Sequence, residues 1–216
     1  MGFFVVLMGI IRYYVYTFWS DNIDSVVIIS RGNREFKGNI RMETARKIFD
    51  KVLVLNLRTR TDNRGPMTVV YNNEFAEKNL LFNAKETRVY TMPKKGTFFG
   101  IHYREESDPM DKLVTVIQGR GMDYIVDLRP ESPTYLKWEK IELSAENALA
   151  VYVPAGFGHG FQAVEDNTIQ HYTINSSGEN GYSKTVNYKD ERIGLKLELP
   201  VTEIADYDLN APFVSQ

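Results

Sequence analysis

The stretch AVYVPAGFGHGF at residues 150–161 combines a short apolar run, a turn signal and a histidine. Residues 150–153 have the length and β-branched character of a strand, and Pro154-Ala155-Gly156 after them is typical of a turn. His159 follows the turn in a partly apolar setting of glycine and phenylalanine. The stretch therefore predicts a strand and a tight turn, followed by a segment that presents a histidine.

The same alternation of short runs and turn signals continues over the chain from Lys51 onward. The other strand-length runs are residues 52–57, 68–71, 112–118, 123–128, 141–143 and 169–174. Turn signals such as Asp62-Asn63-Arg64-Gly65 separate them, which is the spacing of an antiparallel sandwich or barrel. Helical signals are confined to residues 44–50 and 73–79, with a further turn near the C-terminus. The pattern predicts an all-β domain with short peripheral helices.

Length and charge exclude several classes of protein. The chain has 216 residues, 43% of them hydrophobic and 25% charged, which indicates one soluble globular domain with a sizeable core. The 26 Lys and Arg residues are balanced by 28 Asp and Glu residues, so the basic excess of a nucleic-acid-binding domain is missing. With 0 cysteines, disulfides, thiolate nucleophiles and zinc–sulfur sites are excluded.

Residues 1–45 form an N-terminal extension of unassigned role in this interpretation, and residues 46–216 form the single domain. Residues 3–19 are mostly apolar and aromatic. Arg12 lies within that run, where a charge costs about 2.5 to 3.5 kcal/mol on membrane-insertion scales. No basic residue precedes the run and no small-residue cleavage site follows it, so neither an export signal nor a membrane anchor is favoured.

Two histidines are candidates for chemistry. Pro-x-Gly-x-x-His-Gly-Phe at residues 154–161 resembles the second motif of the cupin barrels, in which the histidine points into the barrel; a buried histidine bound to a backbone carbonyl is the alternative. Metal-binding cupins also have a His-x-His motif, but Tyr103 and Arg104 follow His102 here. We therefore predict no metal and no other cofactor. A metal-dependent cupin that uses His102, Glu106 and His159 remains an alternative, as does a sugar-binding cupin without activity.

A longer series of motifs resembles the dTDP-4-dehydrorhamnose 3,5-epimerase family. The motifs begin near Asp62-Asn63-Arg64-Gly65 and end at Asn210-Ala211-Pro212, and residues 1 to about 45 lie outside them. Between these limits the matching segments are residues 112–114, 126–129, 131–134, 138, 143–147 and 154–161. The resemblance implies a cupin or jelly-roll (double-stranded β-helix) barrel and a cytoplasmic homodimer. It also implies a nucleotide-sugar substrate of the 4-keto-6-deoxyhexose class, inverted at C3, C5 or both, for polysaccharide biosynthesis.

The resemblance assigns roles residue by residue. His102, in Gly100-Ile101-His102-Tyr103, occupies the position of the general base. Asp208 matches its carboxylate partner, with Asp206 as a nearby rival. Tyr172 matches the proton donor on the opposite face of the sugar. Lys112 is expected to stabilise the enolate oxygen, because a fixed cation lowers the energy of an oxyanion. His159 is expected to assist substrate binding.

The chain also departs from the family pattern. Phe99 stands where the family has an arginine that contacts the diphosphate, and the expected Gln-x-Asn is not recognisable around residues 87–89. Arg64 keeps the other phosphate-binding arginine, which the resemblance assigns to the partner subunit's site. Arg104, in place of a family glutamine, is a candidate to compensate. These changes predict retained ketosugar chemistry with an altered carrier or sugar. A missing second tyrosine after Tyr172 leaves single-site epimerisation open.

Overall fold

The structure, a computed structural model, describes residues 14–20, 23–31, 34–36, 41–80, 82–177 and 183–214. Residues 14–20, 23–31 and 34–36 are described only as backbone strands. The greater part of the apolar run at residues 3–19 therefore lies outside the described residues. Among those that are described, no helix is both long and apolar enough to cross a membrane.

Strands account for most of the secondary structure. In chain order they are β1 Tyr14–Ser20, β2 Ile23–Arg31, β3 Arg34–Phe36, β4 Glu43–Ile48, β5 Val52–Asn56, β6 Arg58–Asp62, β7 Gly65–Val69, β8 Glu86–Met92, β9 Phe98–Tyr103, β10 Lys112–Gln118, β11 Arg120–Asp127, β12 Trp138–Ser144, β13 Leu149–Val153, β14 Phe157–Ala163, β15 Thr168–Ile174 and β16 Lys184–Thr185. The helices are α1 Asn73–Leu80 and α2 Asp206–Leu209.

Two sheets face each other across the core. One has six strands in the order β4-β5-β13-β10-β15-β8, and the other has five in the order β12-β11-β14-β9-β16. Their pairings are antiparallel, so the predicted all-β jelly-roll barrel is confirmed. β6 and β7 form a hairpin, and β1, β2 and β3 form a three-stranded sheet of their own.

The main core lies between the two sheets. It is built from inward-facing side chains of both, including Val114 and Val151 from the six-stranded sheet and Ile125 and Phe161 from the five-stranded sheet. A second cluster packs α1 and Phe82 against the outer face of the six-stranded sheet. A third packs the segment after β16 against the outer face of the five-stranded sheet. That last layer brings α2 to the barrel.

The helix predicted at residues 44–50 is wrong, because this segment forms β4 and pairs with β5. Ala45, Arg46 and Lys47 favour helices, but all three are exposed on an edge strand, where the backbone ladder and the buried Ile48 outweigh propensity. β4 begins at Glu43, close to the boundary predicted at residues 45 and 46. The division into extension and domain stays a prediction.

Candidate active site

A cavity of about 570 Å³ opens between the two sheets. The side chains that line it are Arg88, Tyr90, Phe99, His102, Met110, Lys112, Gln170, Tyr172, Ile174, Ser183, Thr185 and Tyr207. A second cavity, of about 420 Å³ and lined by residues of β4 and α1, contains none of the predicted site residues. The first cavity is therefore the candidate active site, since three of the predicted residues line it.

His102 is held by a buried carboxylate. Its Nε2 lies 2.6 Å from Oδ1 of Asp208, whose side chain is fully buried. The other oxygen of Asp208 accepts a hydrogen bond of 3.1 Å from the backbone N–H of Gly100. Gly100 has φ +119°, and a Cβ there would lie 2.7 Å from Cα of Gly160, so only glycine lets β9 approach β14 this closely. The backbone of Gly100 therefore helps to fix Asp208 beside His102.

The segment around α2 packs on the barrel and places Asp208 next to His102. The Nδ2 of Asn187 donates hydrogen bonds to the carbonyls of Leu209, at 3.2 Å, and Ala211, at 2.9 Å, immediately after Asp208. Asp206 is exposed, so Asp208 is the aspartate that contacts His102. Tyr207, between the two, stacks its ring on His102 with centroids 5.8 Å apart.

A second chain of hydrogen bonds starts at Tyr172. Its hydroxyl lies 2.7 Å from Nδ1 of His159, and Nε2 of His159 lies 3.0 Å from Oδ2 of Asp123. Both His159 and Asp123 are buried. The carboxylate accepts the Nε2 proton, which leaves Nδ1 to accept the hydroxyl proton of Tyr172. Tyr172 is thereby held in one orientation.

Burial sets the protonation of this chain of groups. It raises the pKa of the Tyr172 hydroxyl well above 10.0, so the phenol stays protonated at neutral pH. It also lowers the pKa of His159 below 6.5, although the carboxylate of Asp123 opposes that shift. The resting arrangement is a neutral phenol donating to a neutral imidazole.

Lys112 is the cation beside His102. Its Nζ donates a 3.0 Å hydrogen bond to the backbone carbonyl of His102, and the residue is only 5% exposed. Burial lowers the pKa of its ammonium group from 10.5 to about 8, although the negative charge of Asp123 opposes the shift. Lys112 is therefore mostly charged at neutral pH and loses its charge in mildly alkaline solution.

Two predicted arginines do not line the cavity. Arg64 is in the turn between β6 and β7, where its guanidinium is 84% exposed and pairs with Asp62. Arg104 is buried and bonded to Asp108, including the carbonyl of that residue at 3.2 Å. Arg104 is therefore bonded to Asp108 and does not line this cavity, and the suggestion that it replaces the lost phosphate contact stays a prediction.

Arg88 is the arginine that does line the cavity, and sequence reasoning missed it. It lies on β8 opposite Tyr172 and pairs with Glu86 on the same strand. Tyr90, two residues further, packs edge-to-face on Phe99 at 5.4 Å and on Tyr172 at 5.1 Å. Tyr90 and Phe99 thus form an aromatic wall of the cavity with Arg88 beside it. The family pattern would have placed an arginine at position 99.

Asp123 was also missed, although the sequence contained a signal. It is the acidic residue next to the apolar Tyr124, Ile125 and Val126, in a strand buried from Asp123 to Asp127. A carboxylate inside a buried strand needs a partner. Among the described residues its Oδ1 has none, while Oδ2 binds His159.

The donor set does not favour a metal ion. Both ring nitrogens of His159 and the Nε2 of His102 are engaged by Asp123, Tyr172 and Asp208. Over the described ranges, no group of three or more His, Cys, Asp and Glu side chains is arranged to bind a metal. The ammonium group of Lys112 lies next to the backbone of His102 and would repel a metal cation bound there.

Comparisons with known proteins identify a family. The family model described as dTDP-4-dehydrorhamnose 3,5-epimerase matches residues 46–216. A protein of that name from Methanothermobacter thermautotrophicus is 31% identical over 165 residues, which are 75% of this chain and 89% of the relative. Another, from Salmonella typhimurium, is 31% identical over 177 residues, 76% of this chain and 91% of the relative.

A solved structure shows the same likeness in three dimensions. The dTDP-4-dehydrorhamnose 3,5-epimerase of Bacillus anthracis, with TDP and PPi bound, superposes with a TM-score of 0.74 at 29% identity, covering 80% of this chain and 99% of that one. A 3'-monoepimerase from Streptomyces bikiniensis in complex with dTDP-quinovose has a TM-score of 0.72 at 26% identity, covering 77% and 85%.

Proposed function

The chain belongs to the dTDP-4-dehydrorhamnose 3,5-epimerase family and is an isomerase, and on that premise we propose that it inverts C3, C5 or both in a nucleotide-linked 4-keto-6-deoxyhexose. Hydrogens on these carbons are acidic because each carbon is next to the C4 ketone. Removal of one gives an enolate, and return of a proton to the opposite face gives the epimer. The reaction needs a base, an acid on the other side of the ring, and a group that stabilises the enolate oxygen.

His102 is the proposed base. With its Nε2 proton bound to Asp208, the remaining nitrogen Nδ1 is left to accept the substrate proton. The imidazolium that results is stabilised by the buried carboxylate, in which both oxygens are already oriented by Nε2 and Gly100. Asp208 is thus a positioning and charge-stabilising partner.

Lys112 is the proposed electrostatic catalyst. Its buried ammonium group lies beside the backbone of His102, so an enolate oxygen formed next to the base lies within reach of a fixed positive charge. A preorganised charge in a site that excludes water stabilises such an oxyanion far better than a solvated one does.

Tyr172 is the proposed acid. It is on β15 of the six-stranded sheet, whereas His102 is on β9 of the facing five-stranded sheet. A ring bound in the cavity would therefore have the base on one face and the phenol on the other. This placement of two proton-transfer groups on opposite walls is the observation that best supports epimerisation. His159 and Asp123 hold the phenol oxygen in place, and the O–H turns from Nδ1 of His159 toward the sugar carbon as the proton is donated.

The nucleotide carrier is proposed from the relatives and from the cavity wall. The bound TDP in the Bacillus anthracis structure and dTDP-quinovose in the Streptomyces bikiniensis one suggest a thymidine diphosphate carrier. Arg88 supplies a guanidinium suited to a phosphate. We also propose a homodimer, in which the exposed Arg64 contributes to the partner subunit's site.

A panel of 4-ketosugars linked to dTDP, GDP, CDP and UDP, each incubated in deuterated water with the protein, tests the proposal. NMR is expected to show deuterium at C3 or C5 and a new epimer for at least one member. Absence of exchange with all members, in protein that is folded by circular dichroism, would refute the epimerase assignment.

A further inference from the structure

Gln170 is a buried polar residue that the proposed mechanism does not use. It lies on β15, lines the cavity and is only 1% exposed. Among the residues that the structure describes, its side-chain Nε2 has no hydrogen-bond partner. Its direct neighbours across the sheet are Val116 on β10 and Tyr90 on β8.

An amide in such a setting is destabilising unless something satisfies it. Buried N–H groups in folded proteins nearly always have an acceptor, and one left without an acceptor weakens the fold. Leucine would fill the same space beside Val116 without that penalty. The donor therefore points to a ligand that supplies the acceptor when the cavity is occupied.

The sheet register gives the order of polar groups along the cavity wall. Ile174, Tyr172 and Gln170 alternate along β15 and face the same side, about 7 Å apart from one to the next. Lys112 is directly opposite Ile174 in the neighbouring strand. Along the strand direction the order is therefore Lys112, then Tyr172, then Gln170.

This order can be compared with the order of atoms in the substrate, and the comparison rests on the proposed function. The C4 oxygen binds at Lys112 and the reacting carbon lies at Tyr172. Gln170 then faces the group beyond the reacting carbon, which is C2 with its hydroxyl if the reacting carbon is C3, and the C6 methyl or the ring oxygen if it is C5. The methyl group has no acceptor, and the acetal ring oxygen is a weaker acceptor than a hydroxyl, so the 2-hydroxyl satisfies the buried amide best.

We propose that Gln170 is a specificity-determining residue whose Nε2 donates a hydrogen bond to the 2-hydroxyl oxygen of the hexose, and that Tyr172 serves C3. The substrate class is thus narrowed to 4-ketohexoses with a free 2-hydroxyl group. Epimerisation at C3 is the main reaction.

A binding comparison tests the role of Gln170. The probes are dTDP-6-deoxy-D-glucose and its 2-deoxy counterpart, measured by calorimetry with the parent protein and with Gln170→Leu. The parent is expected to prefer the 2-hydroxyl probe by about tenfold, the usual value of one neutral hydrogen bond. Gln170→Leu should remove that preference and leave the affinity for the 2-deoxy probe unchanged or higher.

A matched variant controls for the loss of an amide. Gln118→Leu makes the same chemical change on the adjacent strand, at an exposed residue whose Nε2 bonds to the carbonyl of Asn167 at 2.9 Å. It should keep the tenfold preference. Equal affinity of the parent protein for the two probes would overturn the proposal without any variant.

Isotope exchange separates this proposal from the proposed function. With dTDP-4-keto-6-deoxyglucose in deuterated water, the inference expects deuterium mainly at C3, and exchange mainly at C5 would overturn it while the epimerase assignment stands. If neither probe bound the parent protein and no hydrogen on C3 or C5 exchanged with deuterium, the proposed function itself would be refuted. Binding that discriminates between the probes without any exchange would support Gln170 as a hydroxyl-recognition residue and contradict catalysis.

Discussion

Replacement of Tyr172 by phenylalanine separates proton removal from inversion. His102 and Lys112 are untouched by this change, so the enolate should still form and the base should return a solvent-derived proton to the face it came from. Deuterium exchange should therefore persist. The epimer should form about 10² to 10⁴ times more slowly, the usual loss when one acid-base group is removed.

The structure also sets the stability cost of this change. Phenylalanine removes the donor to Nδ1 of His159, a residue only 2% exposed, so a buried acceptor is left unpaired. Such a loss costs about 1 to 3 kcal/mol. In a chain of this length that corresponds to a melting temperature lower by about 2 to 12 °C. The variant should remain folded at the assay temperature.

One NMR experiment in deuterated water measures both rates with dTDP-4-keto-6-deoxyglucose, since loss of the substrate proton signal and growth of the epimer signal are separate. Tyr188→Phe is the control, because Tyr188 packs on Phe98 outside the cavity and should leave both rates unchanged. If Tyr172→Phe formed epimer at the parent rate, Tyr172 would not be the donor. His171 or a water molecule would then have to take that role.

Other changes test the remaining groups. His102→Asn should abolish both exchange and inversion, and exchange at the parent rate would show that another base acts. The kcat/KM of the parent should fall as the pH rises through about 8, where Lys112 loses its proton. In Lys112→Arg the decrease in kcat/KM should move above about pH 10, because the guanidinium group stays charged. If the decrease stayed near pH 8, it would be due to another group. Phe99→Arg should tighten dTDP binding measured by calorimetry, by about tenfold or more, through a charge-assisted phosphate contact; unchanged affinity would place the diphosphate elsewhere. Activity should survive prolonged chelation, and loss that is restored by a stoichiometric metal ion would contradict the metal-free mechanism.

Local pattern predicted the central strands well. Residues 112–118 were predicted as a strand from their β-branched composition, and β10 has the same limits. Strand β14 was not predicted as such, because glycines at residues 158 and 160 weaken the pattern. The fold explains Gly158, since a Cβ there would lie 2.6 Å from a side-chain carbon of Ile101. That constraint comes from a neighbouring strand and is invisible in the local sequence.

The site residues also fall into two groups, those that the sequence predicted and those that it did not. His102, Tyr172 and Lys112 were placed through motifs, and the cavity brings them together. Asp123 and Gln170 were missed because each is one polar residue in a strand, and its meaning depends on which face of the strand points inward. Sequence gave the charge of Arg104 but not its ion-pair partner, Asp108, which only the structure reveals.

The position of β8 has a consequence for substitutions at the site. Arg88 and Tyr90 are on β8, an edge strand of the six-stranded sheet that, among the described strands, pairs only with β15. His102, Lys112 and Tyr172 are on strands that have neighbours on both sides. A change in the backbone of the edge strand affects one neighbouring strand, whereas a change in an interior strand affects two. We therefore expect changes in the proposed carrier contact at Arg88 to affect fewer strand pairings than changes in the proposed proton-transfer residues.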